Sequence, residues 1–164
     1  MFRMEGMCAI RKSPLSPAPF FKRGERWYSG MAFANAGVTA VHAFAYPIGA
    51  EFHIPHGVAN SIMLAPVMEF NMLGNINKFA ELAVLLGENT DGMNRREMAM
   101  AAVKAMRTLS QDLQIPGNLA QFGTKDSDIP MLAEGVMKVT RLLANNPRIL
   151  TKTDAEKIYR NVLS

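Results

Sequence analysis

The stretch Ala40–Asn71, "AVHAFAYPIGAEFHIPHGVANSIMLAPVMEFN", contains all three histidines of the 164-residue chain, His42, His53 and His56. Its other residues are mostly apolar, and from Trp27 to Tyr46, a range that overlaps the start of this stretch, apolar residues occur almost all round the helical period rather than on one face. That pattern is typical of helices buried within a larger core. The stretch therefore predicts a buried helical centre in which imidazole side chains are concentrated.

Prolines and glycines divide this region into two predicted helices. The first runs over Trp27–Tyr46 and ends at Pro47, because the residue before a proline disfavours the helical conformation. A loop containing Gly49 follows, and the second helix runs from about Pro55 to Met72. Pro66 predicts a kink within this second helix.

The remainder of the chain reads as further helices with recognisable ends, and no segment has the alternating pattern of a strand. The sequence therefore predicts an all-α fold of about six or seven helices. The signals are an apolar face of Ile76, Phe79, Leu82 and Leu86 closed by Gly87; Asn94 with Glu97 before Met98, Ala102, Met106, Leu109 and Leu113; Asp128 before Leu132, Val136, Val139 and Leu143; and Thr153 with Glu156 as a capping box.

The charge is distributed unevenly, although the net charge is +4. Residues 1–26 contain six basic and two acidic side chains, whereas residues 27–164 contain twelve of each. We predict a disordered basic tail over residues 1–26 and a neutral folded domain over residues 27–164. Because no basic stripe accompanies the tail, a nucleic-acid partner is not expected.

No apolar run is long enough to cross a bilayer, and the N-terminal residues do not resemble a signal peptide. Cys8 is the single cysteine and cannot form an internal disulfide. We therefore expect a cytoplasmic protein without a membrane partner.

The histidines allow two interpretations from spacing alone. His42 on a buried helix and His56 at the start of the next could together bind a metal, but a mononuclear site needs three or four protein ligands. Glu51 is the nearest acidic residue, and the direction of His53 cannot be read. The alternative is that His42 is a core histidine with one satisfied hydrogen bond and that the other two belong to loops.

The same residues resemble the histidine-rich signature of the iron-containing alcohol dehydrogenases. His42 to Gly57 follow the pattern H-x-x-x-[HY]-P-x-G-x-x-x-x-x-P-H-G, and weaker similarity continues through "LQIPGNLAQFG", "SDIPMLAE" and "NNPRILTKTDAEKIY". The resemblance covers residues from Trp27 onward. It implies the helical C-terminal half of a dehydroquinate synthase-like fold, whose other half is an α/β domain that binds NAD(P).

The resemblance also implies roles for single residues. His42 and His56 match two metal-ligating histidines, for Fe²⁺ or Zn²⁺. Tyr46 stands where many members have a second histidine near the nicotinamide, and it is our candidate catalytic residue. A tyrosine hydroxyl donates a hydrogen bond at neutral pH rather than acting as a base, and packing at the helix end is an equal alternative for this residue. Phe33 matches an aromatic of the substrate pocket and is our candidate cofactor-binding residue, whereas His53 matches no ligand.

The family completes its metal site with an upstream D-x-x-x-H segment and binds NAD(P) through a glycine-rich loop. Residues 1–26 contain neither Asp nor His, and Gly24 and Gly30 stand alone. We therefore expect a truncated or wrongly started C-terminal part of an alcohol dehydrogenase, inactive alone and weak in metal binding. The alternatives are a non-enzymatic helical interaction module, a homo-oligomer included, and one half of a split enzyme whose separate α/β chain completes the site.

Overall fold

The computed structural model describes residues 31, 34 and 37–163, and regular structure within Gly37 to Leu163 is entirely helical. The predicted all-α class is confirmed for this part of the chain. Predictions for residues 1–26 and for Phe33 fall outside the described residues. No described helix is long and apolar enough to cross a membrane. The α-helices are α1 (Ala40–Phe52), α2 (His56–Met72), α3 (Ile76–Leu85), α4 (Arg95–Asp112), α5 (Ile129–Lys138), α6 (Thr140–Leu143) and α7 (Lys152–Leu163), with 3₁₀ turns at Leu119–Phe122 and Asp126–Asp128.

Helix α1 differs from its prediction at both ends. Gly37 has a φ of +69° and Thr39 is extended, so the helix begins at Ala40 and does not run unbroken from Trp27. Pro47 lies inside the helix, and Gly49, predicted in a loop, is helical. A proline in a helix interior removes one backbone hydrogen bond and crowds the preceding turn. Here tertiary packing outweighs that cost.

The packing around Pro47 explains why α1 continues. Phe44 and Ile48, on either side of Pro47, are both fully buried in the main core. The Pro47 ring lies against Gly135 of α5 so closely that an added Cβ there would sit 2.8 Å from Pro47 Cγ. A proline that fills a space left by a glycine can remain in a helix because its ring contributes buried contact.

Helix α2 begins at His56 and ends at Met72, as predicted to within a residue. Pro66 lies within it, and the predicted kink there stays a prediction. Met63 is fully buried, Met72 is buried and Met68 packs against the core, so the methionines of α2 serve as core residues. Helix α1 packs against α2 and α5, and α5 packs against α7, which encloses one main apolar cluster.

Helices α3 and α4 pack against each other, and α4 also packs against α2. A smaller apolar cluster of Met72, Phe79, Ala99 and Val103 joins them. The predicted start of α4 is confirmed: the Asn94 side chain accepts hydrogen bonds from the backbone of Arg96 and Glu97, and Glu97 completes the capping box. The predicted apolar face was wrong toward its end: Leu109 and Leu113 are exposed, and the buried residues of α4, Ala99, Ala102 and Val103, all lie in its N-terminal half.

The helix predicted after Asp128 is interrupted. Leu132 and Val136 are buried as expected, but α5 ends at Lys138 and the short α6 follows Val139, whose ψ of +53° is not helical. The Asp128 carboxylate accepts a hydrogen bond from Lys125 N and so caps the preceding 3₁₀ turn instead of α5.

The capping box of α7 was predicted two residues too late. Thr151 Oγ1 accepts from Asp154 N at 3.2 Å, and Asp154 Oδ2 accepts from Thr151 N at 3.1 Å. Glu156, assigned to the box from sequence, instead pairs with Arg160 at 3.6 Å. Both Thr151 and Thr153 have an acidic residue three positions later, so the sequence allowed two registers.

The turn Asn146–Arg148 fastens the C-terminal segment to α2. Asn146 and Asn71 exchange two amide hydrogen bonds of 2.8 Å, and Asn71 is almost wholly buried. The Arg148 guanidinium lies 4.0 Å from the centre of the Phe70 ring and donates to Phe70 O at 3.1 Å. This turn therefore does more than connect the last helices, because it caps the C-terminal end of α2.

Replacing Gly135 with alanine should test the contact between α1 and α5. The added methyl meets Pro47, so we expect Gly135→Ala to destabilise the fold by about 1–3 kcal/mol despite alanine's better helix propensity. Urea unfolding followed by circular dichroism measures the change. Gly57→Ala is the matched control: its Cβ would meet nothing within 4 Å, and it should be neutral or stabilising. Equal behaviour of the two variants would contradict this packing.

Removing the charge of Asp154 should make stability depend less on pH. Hydrogen bonds from the Thr151 hydroxyl and backbone lower the pKa of Asp154. A lowered pKa means that the carboxylate stabilises the fold above its unfolded-state pKa, and this stabilisation is lost as the pH falls through the folded-state pKa. Asp154→Asn should cost about 1 kcal/mol at pH 7, and the gap to wild type should close below about pH 4. Thr153→Ala, the control, should change little at either pH.

Candidate metal centre

Three aromatic rings meet where α1 and α2 adjoin. His42 and Tyr46 lie four residues apart on α1, and His56 is the first residue of α2. The centres of the His42 and His56 rings are 5.4 Å apart, those of Tyr46 and His56 are 5.7 Å apart, and those of His42 and Tyr46 are 6.5 Å apart. The structure thus brings together both predicted ligands and the predicted catalytic residue.

Local structure explains this convergence. Residues four apart on a helix share a face, which places His42 and Tyr46 side by side. The connection between the helices is only three residues long, and His53 ends α1 in the left-handed conformation with a φ of +55°. Histidine tolerates this conformation better than most residues. The His53 side chain is exposed at this turn. It does not belong to the group of rings formed by His42, Tyr46 and His56.

The spacing of the two imidazoles fits a shared divalent ion. Two imidazoles that bind one tetrahedral ion through nitrogens at about 2.1 Å have ring centres about 5.3 Å apart. The observed separation of the His42 and His56 ring centres is 5.4 Å. Nitrogen donors of this kind suit zinc, iron and related metals. The donor pair is therefore compatible with the metal that the sequence resemblance implies.

The two imidazoles stand in different environments. His42 is half-buried, between the buried Val41 and Ala43, whereas His56 is exposed. Burial, and to a smaller degree the neighbouring His56, lowers the pKa of His42. A lowered pKa keeps the ring neutral at physiological pH, and only a neutral imidazole has a lone pair for a metal.

Within the described residues, no cluster of three or more His, Cys, Asp or Glu side chains could hold a metal ion. Glu51, the nearest acidic residue in sequence, is exposed on the last turn of α1 and joins no such cluster. The described part of the chain therefore contains the two predicted ligands, His42 and His56, and Phe33 lies outside it.

Asn60 is a further residue of the centre that the sequence analysis missed. Its Nδ2 lies 3.0 Å from His56 Nε2 and 3.0 Å from His56 O. The spacing of four residues on one helix could have revealed this neighbour, because it places Asn60 one turn after His56.

These features define a class: an all-helical domain in which an imidazole from a core helix lies beside one from the start of the next helix, an arrangement that could hold a divalent metal. Residues 25–163 match the family described as the Fe-containing alcohol dehydrogenase family, C-terminal. The chain therefore belongs to the iron-containing alcohol dehydrogenase family, and the resemblance drawn from the histidine stretch is confirmed.

Individual relatives agree with this assignment. The chain is 39% identical over 132 residues to the 1,3-propanediol dehydrogenase of Citrobacter freundii, covering 80% of this chain and 34% of that one. It is 37% identical over 134 residues to the lactaldehyde reductase of Escherichia coli K12, covering 82% and 35%. A crystal structure of a 1,3-propanediol oxidoreductase superposes with a TM-score of 0.79 at 38% identity, over 82% of this chain and 35% of that one. The chain thus spans about a third of the length of the relatives it matches.

Changing Tyr46 to histidine should strengthen metal binding. The new imidazole would stand four residues from His42 on one helix face and beside His56. A third nitrogen ligand should lower the Zn²⁺ dissociation constant on the order of tenfold or more. Isothermal titration calorimetry measures it. Tyr46→Phe keeps the ring without adding a ligand and should bind Zn²⁺ as the wild type does; a similar gain in both variants would show that ligation is not the cause.

Proposed function

We propose that this chain is the metal-binding helical part of an NAD(P)-linked alcohol dehydrogenase that interconverts an alcohol and an aldehyde or ketone. The observation that carries the proposal is the His42–His56 pair, which occurs in the family's sequence pattern and has ring centres 5.4 Å apart. The names of two relatives, a 1,3-propanediol dehydrogenase and a lactaldehyde reductase, support an alcohol or aldehyde as the substrate class.

Each residue of the centre has a distinct part in this proposal. His42 and His56 hold Fe²⁺ or Zn²⁺, which when bound supplies Lewis-acid polarisation of the substrate oxygen. Tyr46 packs beside both imidazoles, and its hydroxyl donates a hydrogen bond rather than accepting a proton. Phe33 is assigned by resemblance to the wall of the substrate pocket and remains the candidate cofactor-binding residue. NAD(P) itself would bind to an α/β domain, since the printed sequence contains no glycine-rich phosphate loop.

Two ligands limit what the chain does alone. A site of two neutral imidazoles lacks a carboxylate to offset the ion's charge, and its chelate is incomplete. We therefore propose that residues 1–164 by themselves bind metal weakly and do not turn over alcohol. The missing ligands and the nucleotide-binding half would come from further residues of the same protein or from a separate polypeptide.

A chimera can test this function directly. Residues 25–163 would replace the matching C-terminal segment of the 1,3-propanediol dehydrogenase of Citrobacter freundii, whose remaining residues supply the rest of the enzyme. We expect the chimera, loaded anaerobically with Fe²⁺, to oxidise 1,3-propanediol with NAD⁺ or NADP⁺, and His42→Ala or His56→Ala in the chimera to lose both metal and turnover.

The outcomes of this experiment are separable. A folded chimera that binds NAD⁺ but holds no metal would contradict the proposed ligand roles. The unfused chain, after dialysis, should contain less than stoichiometric Fe or Zn and should show no turnover above its own His42→Ala variant. Stoichiometric metal in the unfused chain would contradict the two-ligand limit.

A second candidate is a helical interaction module, the homo-oligomer included. It is favoured by the apolar residues at the end of α3, where Val84, Leu85 and Leu86 are 55%, 71% and 41% exposed. Contiguous exposed apolar side chains tend to be covered by another chain. A defined dimer with a cooperative melt, measured by sedimentation, would favour a module. Co-purification with an α/β chain, with metal present only in the complex, would instead favour a split enzyme.

A further inference from the structure

The contacts of Asn60 determine which way its side-chain amide points. Nδ2 lies 3.0 Å from His56 O, a carbonyl oxygen that can only accept a hydrogen bond. The amide NH₂ must therefore face His56, because the opposite orientation would place two oxygens against each other. Asn60 Oδ1 is buried and has no hydrogen-bond partner among the described residues, so the two donor contacts alone select this orientation.

The amide orientation in turn determines the proton position on His56. The second N–H of Asn60 points at His56 Nε2, 3.0 Å away. A nitrogen that accepts a hydrogen bond does so through its lone pair and carries no proton, so a neutral His56 ring must carry its proton on Nδ1. The Tyr46 ring lies nearly parallel to His56, with 20° between the planes, and restrains the ring on another side. Both the tautomer and the orientation of His56 are thus set by neighbouring side chains.

We propose that Asn60 is a positioning residue of the metal centre: it holds His56 in the Nδ1–H tautomer, and a divalent cation displaces its amide from Nε2. With the proton on Nδ1, Nε2 has the lone pair through which the ring can bind a cation. The Asn60 amide and the cation compete for this one lone pair. Metal binding therefore requires the hydrogen bond between Asn60 Nδ2 and His56 Nε2 to break. No change of tautomer is needed, because Nε2 already carries no proton. The displacement step rests on the proposed metal-binding function, whereas the tautomer assignment does not.

The experiment is a ¹⁵N NMR titration of the full chain with Zn²⁺. In the metal-free wild type we expect His56 to show a protonated Nδ1 and an unprotonated Nε2. Added Zn²⁺ should shift His56 Nε2 and the Asn60 side-chain amide together, with one dissociation constant. Asn60→Ala should release the tautomer restraint and should bind Zn²⁺ about fivefold more tightly, the gain from losing one competing hydrogen bond.

A neighbouring serine provides the matched control. Ser61 donates to Gly57 O at 2.8 Å, the same side chain to backbone contact one turn back that Asn60 makes, but it does not touch an imidazole. Ser61→Ala should leave both the tautomer and the Zn²⁺ affinity unchanged. Asn60→Asp is a second test variant: a carboxylate only accepts hydrogen bonds, so the His56 proton should move to Nε2.

The results test the tautomer assignment of His56 and the displacement of the Asn60 amide separately. A metal-free wild type with its proton on His56 Nε2 would overturn the inference, whatever the metal does. Weaker or unchanged Zn²⁺ binding by Asn60→Ala would overturn the displacement. A wild type in which Zn²⁺ perturbs neither His42 nor His56 would contradict the proposed metal centre itself, while the tautomer measurement would still stand or fall independently.

Discussion

The close approach of Pro47 to Gly135 is the constraint on which the rest of the structure depends. Without a Cβ at Gly135, the proline ring reaches the surface of α5, and α1 continues through the proline to Phe52. This continuation keeps Phe44 and Ile48 in the core and leaves only three residues between α1 and α2. The short connection then brings His56 beside His42, so the proximity of the two predicted ligands depends on where α1 ends.

The core and the site are therefore parts of one arrangement. Tyr159 of α7 donates its buried hydroxyl to Phe44 O at 2.8 Å, and its ring packs 5.0 Å from that of Phe44. This hydrogen bond is formed within the main core, where an unpaired hydroxyl would be costly, and burial raises the pKa of Tyr159. Helix α1 is thus held by α5 at Pro47 and by α7 at Phe44. A helix fixed at two points gives His42 a defined position before any metal is present.

Sequence reasoning predicted those features that depend on residues close together in the chain. The all-helical class, the capping box at Asn94, the extent of α2 and the pairing of His42 with His56 followed from local patterns or from the family resemblance. The continuation of α1 through Pro47 could not be predicted, because it depends on Gly135, which is distant in sequence. The register of the box at Thr151 failed for another reason: two equivalent threonine–acid pairs lie two residues apart, and only packing of α7 distinguishes them. Asn60 could be predicted only in part: its spacing of four residues from His56 can be read from the sequence, but the orientation of its side-chain amide cannot.

The two predicted ligands, His42 and His56, differ in how strongly the fold holds them in place. His42 is flanked by buried Val41 and Ala43 on a helix that the core holds in place, so its position is maintained by residues unrelated to metal binding. His56 is exposed, and its orientation depends on Tyr46 and Asn60. Neither of these two side chains belongs to the hydrophobic core. A fold that keeps its hydrophobic core therefore keeps His42 regardless of function, whereas the order of His56 depends on side chains that contact the ring itself. The environment of His56 therefore says more than that of His42 about whether the site binds a metal, because the stability of the fold does not require the contacts that order the His56 ring.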